Sequence, residues 1–175
     1  MKVEIVYSSL SGCTARVARA IYEGLEGEKS IHDLADGIPE LDGEILLLGY
    51  WGISGGPCEE VQNFLKTVEH RAVGVFCTLG YYAGTDHAQD TLRAGVDLLK
   101  DRNQVIGGFV CNGAIAPNLK NGWDGMPTEQ KHLRWEITDS HPTQAECQLA
   151  AERFRERVQL YTRCQELGIP CTSVV

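Results

Sequence analysis

The stretch Ile5-Val6-Tyr7-Ser8-Ser9-Leu10-Ser11-Gly12-Cys13-Thr14-Ala15-Arg16-Val17-Ala18-Arg19-Ala20-Ile21 decides the fold. Its first residues suit a buried strand, Ser8 to Thr14 form a hydroxyl-rich turn with one glycine, and Ala15 to Ile21 carry apolar residues at helical spacing. A strand that empties through such a turn into a helix start is an anion site. Backbone N–H groups left free in the first helical turn, together with the positive end of the helix dipole, favour a phosphate there. Ser9, Ser11 and Thr14 add hydroxyl donors, Gly12 lets the backbone approach a ligand closely, and Leu10 and Cys13 complete the loop. Two other phosphate loops are excluded, since neither Gly-Lys-Ser/Thr nor G-x-G-x-x-G is present; the nearby cation is Arg16.

Outward from this stretch the chain alternates strands and helices. Val3 to Tyr7 reads as the first strand, followed by a helix to about Leu25 and a short second strand near Ser30 to Leu34. Glu44 to Tyr50 is a continuous apolar run of the kind a strand buried on both faces requires. Trp51 to Gly56 reads as a loop, Pro57 as the opening of the next helix, and Val61, Phe64, Leu65 and Val68 as its buried stripe. Ala72 to Cys77 is the fourth strand, Thr78 to Gly84 a loop, Thr85 to Lys100 a helix, and Val105 to Cys111 the fifth strand. From Asn112 to Ser140 no periodicity survives, and this segment, with Trp123 and Trp135, is expected to be a long irregular connection of functional type. Thr143 and Glu146 form a capping box for a last helix that buries Cys147, Ala150, Phe154, Val158 and Tyr161 and stops at Gly168. The expectation is one α/β domain over residues 1–175, a doubly wound five-stranded parallel sheet.

Composition narrows the function. The chain has 175 residues and a formal net charge of −8, which argues against nucleic acid or an anionic membrane as partner and towards a basic docking face. Seven cysteines without a C-x-x-C pair, and no signal-like N-terminus, lead to the expectation of reduced thiols in a cytoplasm. Cys58, expected at a helix start, reads as a buried thiol before a reactive one. The five histidines show no metal spacing, and no catalytic triad or carboxylate pair is identifiable.

The run apolar, apolar, Tyr7, any, Ser9, two residues, Gly12, any, Thr14, three residues, Ala18, two residues, Ile21 resembles the FMN-phosphate signature of the flavodoxin family. That resemblance implies strand order 2-1-3-4-5, with the ligand outside the carboxyl ends of the strands. It implies FMN as cofactor, its phosphate on Ser9 to Thr14 and its ring against the loops that carry Tyr50, Trp51 and Gly52, and Thr78, Leu79, Gly80, Tyr81 and Tyr82, with Asn112 at the same edge. Trp51 would stack on one face of the ring and Tyr82 or Tyr81 on the other. The Gly52 carbonyl, able to turn towards N5 of the flavin, would stabilise a semiquinone. Glu59, Glu60 and Asp86 would lower the potential of the second electron.

The sequence departs from that pattern where Cys13 replaces a common Asn, where Thr78-Leu79-Gly80 lacks the usual acidic and serine-rich run, and in the placement of its long connection. The expected function is an FMN-binding carrier, monomeric, shuttling single electrons between a reductase and an acceptor protein. Two further readings stand beside it. One is an FMN-dependent oxidoreductase or reductase accessory with a pocket shaped by residues 112–140, a pattern similar to the flavodoxin-like proteins that accompany bilirubin reductase. The other is a flavin-free binding module, which the loop aromatics oppose.

Overall fold

The structure is a computed structural model and describes residues 1–122 and 128–172. Trp123 lies outside the described residues. The strands are β1 (Val3–Tyr7), β2 (Lys29–Asp33), β3 (Ile45–Ile53), β4 (Gly56–Pro57), β5 (Ala72–Leu79) and β6 (Gln104–Asn112). The helices are α1 (Cys13–Gly24), α2 (Glu59–Leu65), α3 (Asp86–Asp97), α4 (Thr128–Asp139) and α5 (Gln144–Leu167). The sheet runs β2-β1-β3-β5-β6 with every neighbour parallel, and β4 pairs antiparallel with β3 off that path. With the short β4 set aside, this is the order 2-1-3-4-5 that the sequence resemblance implies.

Alternation along the central strands divides the core in two. Leu46, Leu48 and Tyr50 of β3 and Val73, Val75 and Cys77 of β5 point to α2 and α3, where Val61, Phe64, Leu92 and Val96 receive them. Ile45 and Leu47 point the other way, with Ile5, Phe76 and Phe109, onto Val17 and Ile21 of α1 and Ala150 and Phe154 of α5. Phe154 reaches deepest. Its ring packs edge-on against Phe76 at 5.9 Å and fills space left by the missing side chain of Gly74, where a Cβ would stand 2.7 Å from it.

The sequence reading needs correction at three places. The third strand does not stop at Tyr50 but continues through Trp51 and Gly52 to Ile53, turns at Ser54 and Gly55 with φ of 53° and 81°, and returns as β4. Positive φ at both central residues is the geometry of a tight two-residue hairpin, whose twist matches that of its strands. Pro57 consequently belongs to the returning strand, Cys58 is the N-cap, and α2 begins at Glu59. Val68 is buried as expected but lies beyond the end of α2. The third correction is in the segment after β6, which holds a short 3-10 helix (Pro117–Gly122) and α4. Periodicity missed α4 for a physical reason: its buried residues are the polar pair Arg134 and Thr138, while Leu133 and Ile137 face outward.

The last helix carries both halves of its capping box, the Thr143 hydroxyl accepting from the Glu146 N–H and the Glu146 carboxylate from the Thr143 N–H, and ends at Gly168 in the left-handed region. Phe154→Ala is expected to cost roughly 3–5 kcal/mol in a denaturant titration, since the cavity would lie between α5 and a sheet that cannot collapse into it. A loss below about 1 kcal/mol would show that the site is not close-packed.

Candidate functional site

Parallel strands all deliver their carboxyl ends to one edge, and the site is built there from four connections. The first follows β1. Ser8 continues the ladder by donating its N–H to the Gly49 carbonyl at 3.1 Å and its hydroxyl to the Glu60 carboxylate at 2.6 Å. Ser9 folds back so that its hydroxyl accepts from the Ala15 N–H at 3.2 Å, capping the third residue of α1. Gly12 occupies the N-cap position with φ 82° and brings no side-chain acceptor. Among the described residues, the N–H groups of Cys13 and Thr14 meet no protein acceptor, and they open α1 where the dipole is positive.

The side chains of the loop divide by direction. Leu10 and Ser11 line a cavity, whereas Cys13 is buried behind the loop, its sulfur accepting from the Ala114 N–H at 3.1 Å. Thr14 is buried too, and its hydroxyl meets that of Thr78 at 2.9 Å, tying the start of α1 to the end of β5. Arg16 points elsewhere, donating to the Pro142 carbonyl at 2.6 Å. The attraction for an anion therefore comes from N–H groups and hydroxyls.

The cavity measures about 320 Å³, within the range of small-ligand sites. Its walls are the loop after β1, the β3–β4 hairpin from Trp51 to Gly55, the end of β5 with the loop that follows it from Thr78 to Tyr81, and the segment after β6. Sheet register sets Trp51 opposite Thr78, which fixes two of these walls against each other. Gly80 is required by close approach, since a Cβ there would stand 2.3 Å from Ile115 Cγ1.

Of the residues singled out from sequence, Leu10, Ser11, Trp51, Gly52 and Thr78 through Tyr81 come together on this cavity, with Ser9, Gly12, Cys13 and Thr14 forming the adjoining helix start. Three stand apart. Tyr50 is fully buried in the core below, its hydroxyl directed at the Thr91 carbonyl at 2.7 Å, and burial pushes that hydroxyl's pKa far up. Tyr82 is exposed beside the cavity rather than in its wall, edge-on to Tyr81 at 6.0 Å. Asn112 is buried and supports the loop, accepting from the Ala83 N–H at 2.8 Å.

Sequence reasoning missed His87 and Thr91, which share one face of α3 at i, i+4, and it named Gly113 to Ala116 and Leu119 only as part of the 112–140 segment of the oxidoreductase reading, without singling them out. The edge rule for parallel sheets reaches Gly113, because it follows β6 directly; nothing in the pattern signals Leu119. Cys58 is a buried N-cap, and burial pushes the Cys77 thiol up to about 12 and the Cys111 thiol higher still. No cluster of His, Cys, Asp and Glu suited to a metal occurs among the described residues, nor does any helix long and apolar enough to cross a membrane.

The segment after β6 is anchored where it returns to α5. The His141 carbonyl accepts from the Ala114 N–H at 3.3 Å, and His141 Nδ1 meets the Glu146 carboxylate at 2.7 Å. Burial pushes the Glu146 carboxyl up, but hydrogen bonds from Thr143 and His141 outweigh it and hold the pKa below the ordinary value.

Comparison with known proteins gives a consistent set of likenesses. A family model described as Flavodoxin domain matches residues 4–155. The flavodoxin-like domain-containing protein BilS of Clostridioides difficile (strain CD3) is 28% identical over 159 residues, covering 83% of this chain and 90% of that protein. The crystal structure of Fusobacterium nucleatum flavodoxin bound to flavin mononucleotide superposes with a TM-score of 0.59 at 15% identity, over 93% of this chain and 97% of that one. Oxidised flavodoxin 2 from Bacillus cereus gives a TM-score of 0.54 at 18% identity, over 79% and 95%.

Two outcomes check this geometry. Gly80→Ala is expected to destabilise the fold by about 1–3 kcal/mol, as Ile115 must yield to the new Cβ; an unchanged unfolding midpoint would refute the close contact. Because the folded pKa of Glu146 lies below its unfolded value, its carboxylate stabilises the fold above about pH 4.3, and that contribution disappears as pH falls through the lowered value. Glu146→Gln should therefore unfold earlier than the parent near neutral pH and converge with it in strong acid. A pH-independent offset would contradict the assignment.

Proposed function

Since this chain belongs to the flavodoxin domain family, we propose that it binds FMN at the edge cavity and serves as an electron-transfer flavoprotein between a reductase and an acceptor protein. The observation that carries this reading is the junction of a helix start bearing unpaired N–H groups with an aromatic-walled cavity of about 320 Å³. The residues fit the group. A phosphate needs the donors that Ser9 to Thr14 present, and a flat heterocycle needs an enclosure such as the one between Trp51 and Tyr81. When bound, FMN supplies the redox chemistry, and the protein supplies binding, orientation and electrostatics.

Each wall has a part in that division. The N–H groups of Cys13 and Thr14 would hold the phosphate by hydrogen bonds, without a lysine or arginine. Thr14 holds its helix start against β5 through Thr78. Trp51 and Tyr81 would shield a bound ring from water, and Gly52, where a Cβ would stand 2.7 Å from Thr91, lets the hairpin pack against α3 at the cavity wall. The net charge of −8 suits a redox partner with a basic docking face, encountered by electrostatic steering.

One observation favours a second reading, an FMN-dependent oxidoreductase or reductase accessory. Ile115, Ala116 and Leu119 from the connection after β6 give the cavity an apolar side of its own, which a carrier does not need and a small apolar substrate does. Titration of the apoprotein with FMN, followed by quenching of flavin fluorescence, is expected to saturate at one FMN per chain. A ligand at about 100 times its Kd should stabilise the fold by about 2.7 kcal/mol. Absence of both effects overturns the reading. The loaded protein should leave NAD(P)H unconsumed when no reductase is present; turnover with a small acceptor alone would favour the enzyme.

A further inference from the structure

Helix α4 buries a charge where most helices bury a hydrophobic stripe. Arg134 is 7% exposed. Its guanidinium donates to the Gly80 carbonyl at 3.1 Å, lies 4.0 Å from the centre of the Tyr81 ring and 5.4 Å from that of Tyr82. One side chain thus engages three consecutive residues of the β5–α3 loop. Gly80 and Tyr81 line the cavity and Arg134 does not, so the cation sits behind the aromatic wall. T-shaped contacts with Tyr82 at 6.0 Å and His87 at 5.2 Å further fix the Tyr81 ring. The helix that carries Arg134 is itself fastened, with Lys120 bonded to the Asp139 carboxylate at 3.1 Å and placed 5.9 Å from the centre of the Trp135 ring.

A planar cation on one face of a tyrosine is attracted by the ring's negative face and draws electron density towards itself. The opposite face then becomes a better neighbour for an electron-rich partner. In surroundings drier than water, a fixed positive charge also lowers the energy of negative charge nearby. Resting on the FMN reading above, we propose that Arg134 is a positioning residue for the flavin ring. It clamps Gly80-Tyr81-Tyr82 so that Tyr81 presents one face to the cavity, and its charge favours the reduced cofactor over the oxidised one. This effect opposes the acidic surroundings contributed by Glu59, Glu60 and Asp86, which are all exposed. The connection after β6, unaccounted for by sequence, thereby acquires a role: it brings α4 across the site and sets the cofactor's electrostatics from behind.

The test compares the full-length parent with Arg134→Gln, Arg134→Lys, Tyr81→Leu and the double variant Arg134→Gln/Tyr81→Leu. Two quantities are read: the Kd of oxidised FMN by fluorescence titration, and the midpoint potential of bound against free FMN by dye equilibration. Arg134→Gln is expected to weaken oxidised FMN on the order of tenfold and reduced FMN by more, so the potential falls. Arg134→Lys keeps the charge without the flat fork, and should restore the potential while binding stays weakened. In the Tyr81→Leu background the cost of Arg134→Gln should shrink to about twofold, because the two act through one contact. If Arg134→Gln does not fold, judged by far-ultraviolet circular dichroism, the lysine variant carries the test on the same two readings. A parent that takes up no FMN overturns the function on which this inference rests. A parent that binds FMN, with variants matching it in Kd and potential, or with equal losses whether or not Tyr81 is present, overturns the inference alone.

Discussion

A parallel sheet buried on both faces is the constraint from which the rest of this molecule follows. Helices must cover both faces, α1 and α5 one and α2 and α3 the other, and every carboxyl end is sent to a single edge. At that edge the connections after β1, β3, β5 and β6 meet around one cavity. The Thr14 to Thr78 hydrogen bond at 2.9 Å and the Ala114 N–H resting on the Cys13 sulfur join three of them directly behind the anion loop. The donors of the helix start are therefore held in place before a ligand arrives, which is the condition under which backbone N–H groups bind phosphate without a cationic side chain.

How much of this was legible depended on what the sequence had to encode. Strands buried on both faces need unbroken apolar runs, so Glu44 to Tyr50 and Ala72 to Cys77 were readable as they stand. The hairpin at Trp51 to Pro57 was not, because its signal is two residues with positive φ, Ser54 and Gly55, and serine does not advertise that conformation. Helix α4 was invisible to periodicity because tertiary contacts, and not an apolar face, hold it: Arg134 reaches Gly80 and Tyr81, and Lys120 reaches Asp139. Interactions between residues 19 to 54 positions apart leave no local trace.

The candidate site shows the same division. The anion loop was identifiable from its hydroxyl and glycine positions before a helix start, and Trp51, Gly52 and Tyr81 because the expected strand order puts their loops at the same edge. Tyr50 and Tyr82 flank wall residues by one position, and along a strand a one-residue step reverses the direction of a side chain. That is why Tyr50 lies in the core with its hydroxyl on the Thr91 carbonyl, while Trp51 faces the cavity. The apolar wall from Ile115 to Leu119 distinguishes this site from one built only of the loops after β1, β3 and β5. It is where the difference between a carrier and an enzyme would be written.

The central claim, that the helix start and the aromatic walls together hold one FMN, is tested most directly by amide NMR of the apoprotein as FMN is added. The expected result is that the largest changes fall on the N–H groups of Gly12, Cys13 and Thr14 and on the Trp51 indole, saturating together at one equivalent. Changes confined to other surfaces, or none at these four groups, would contradict it.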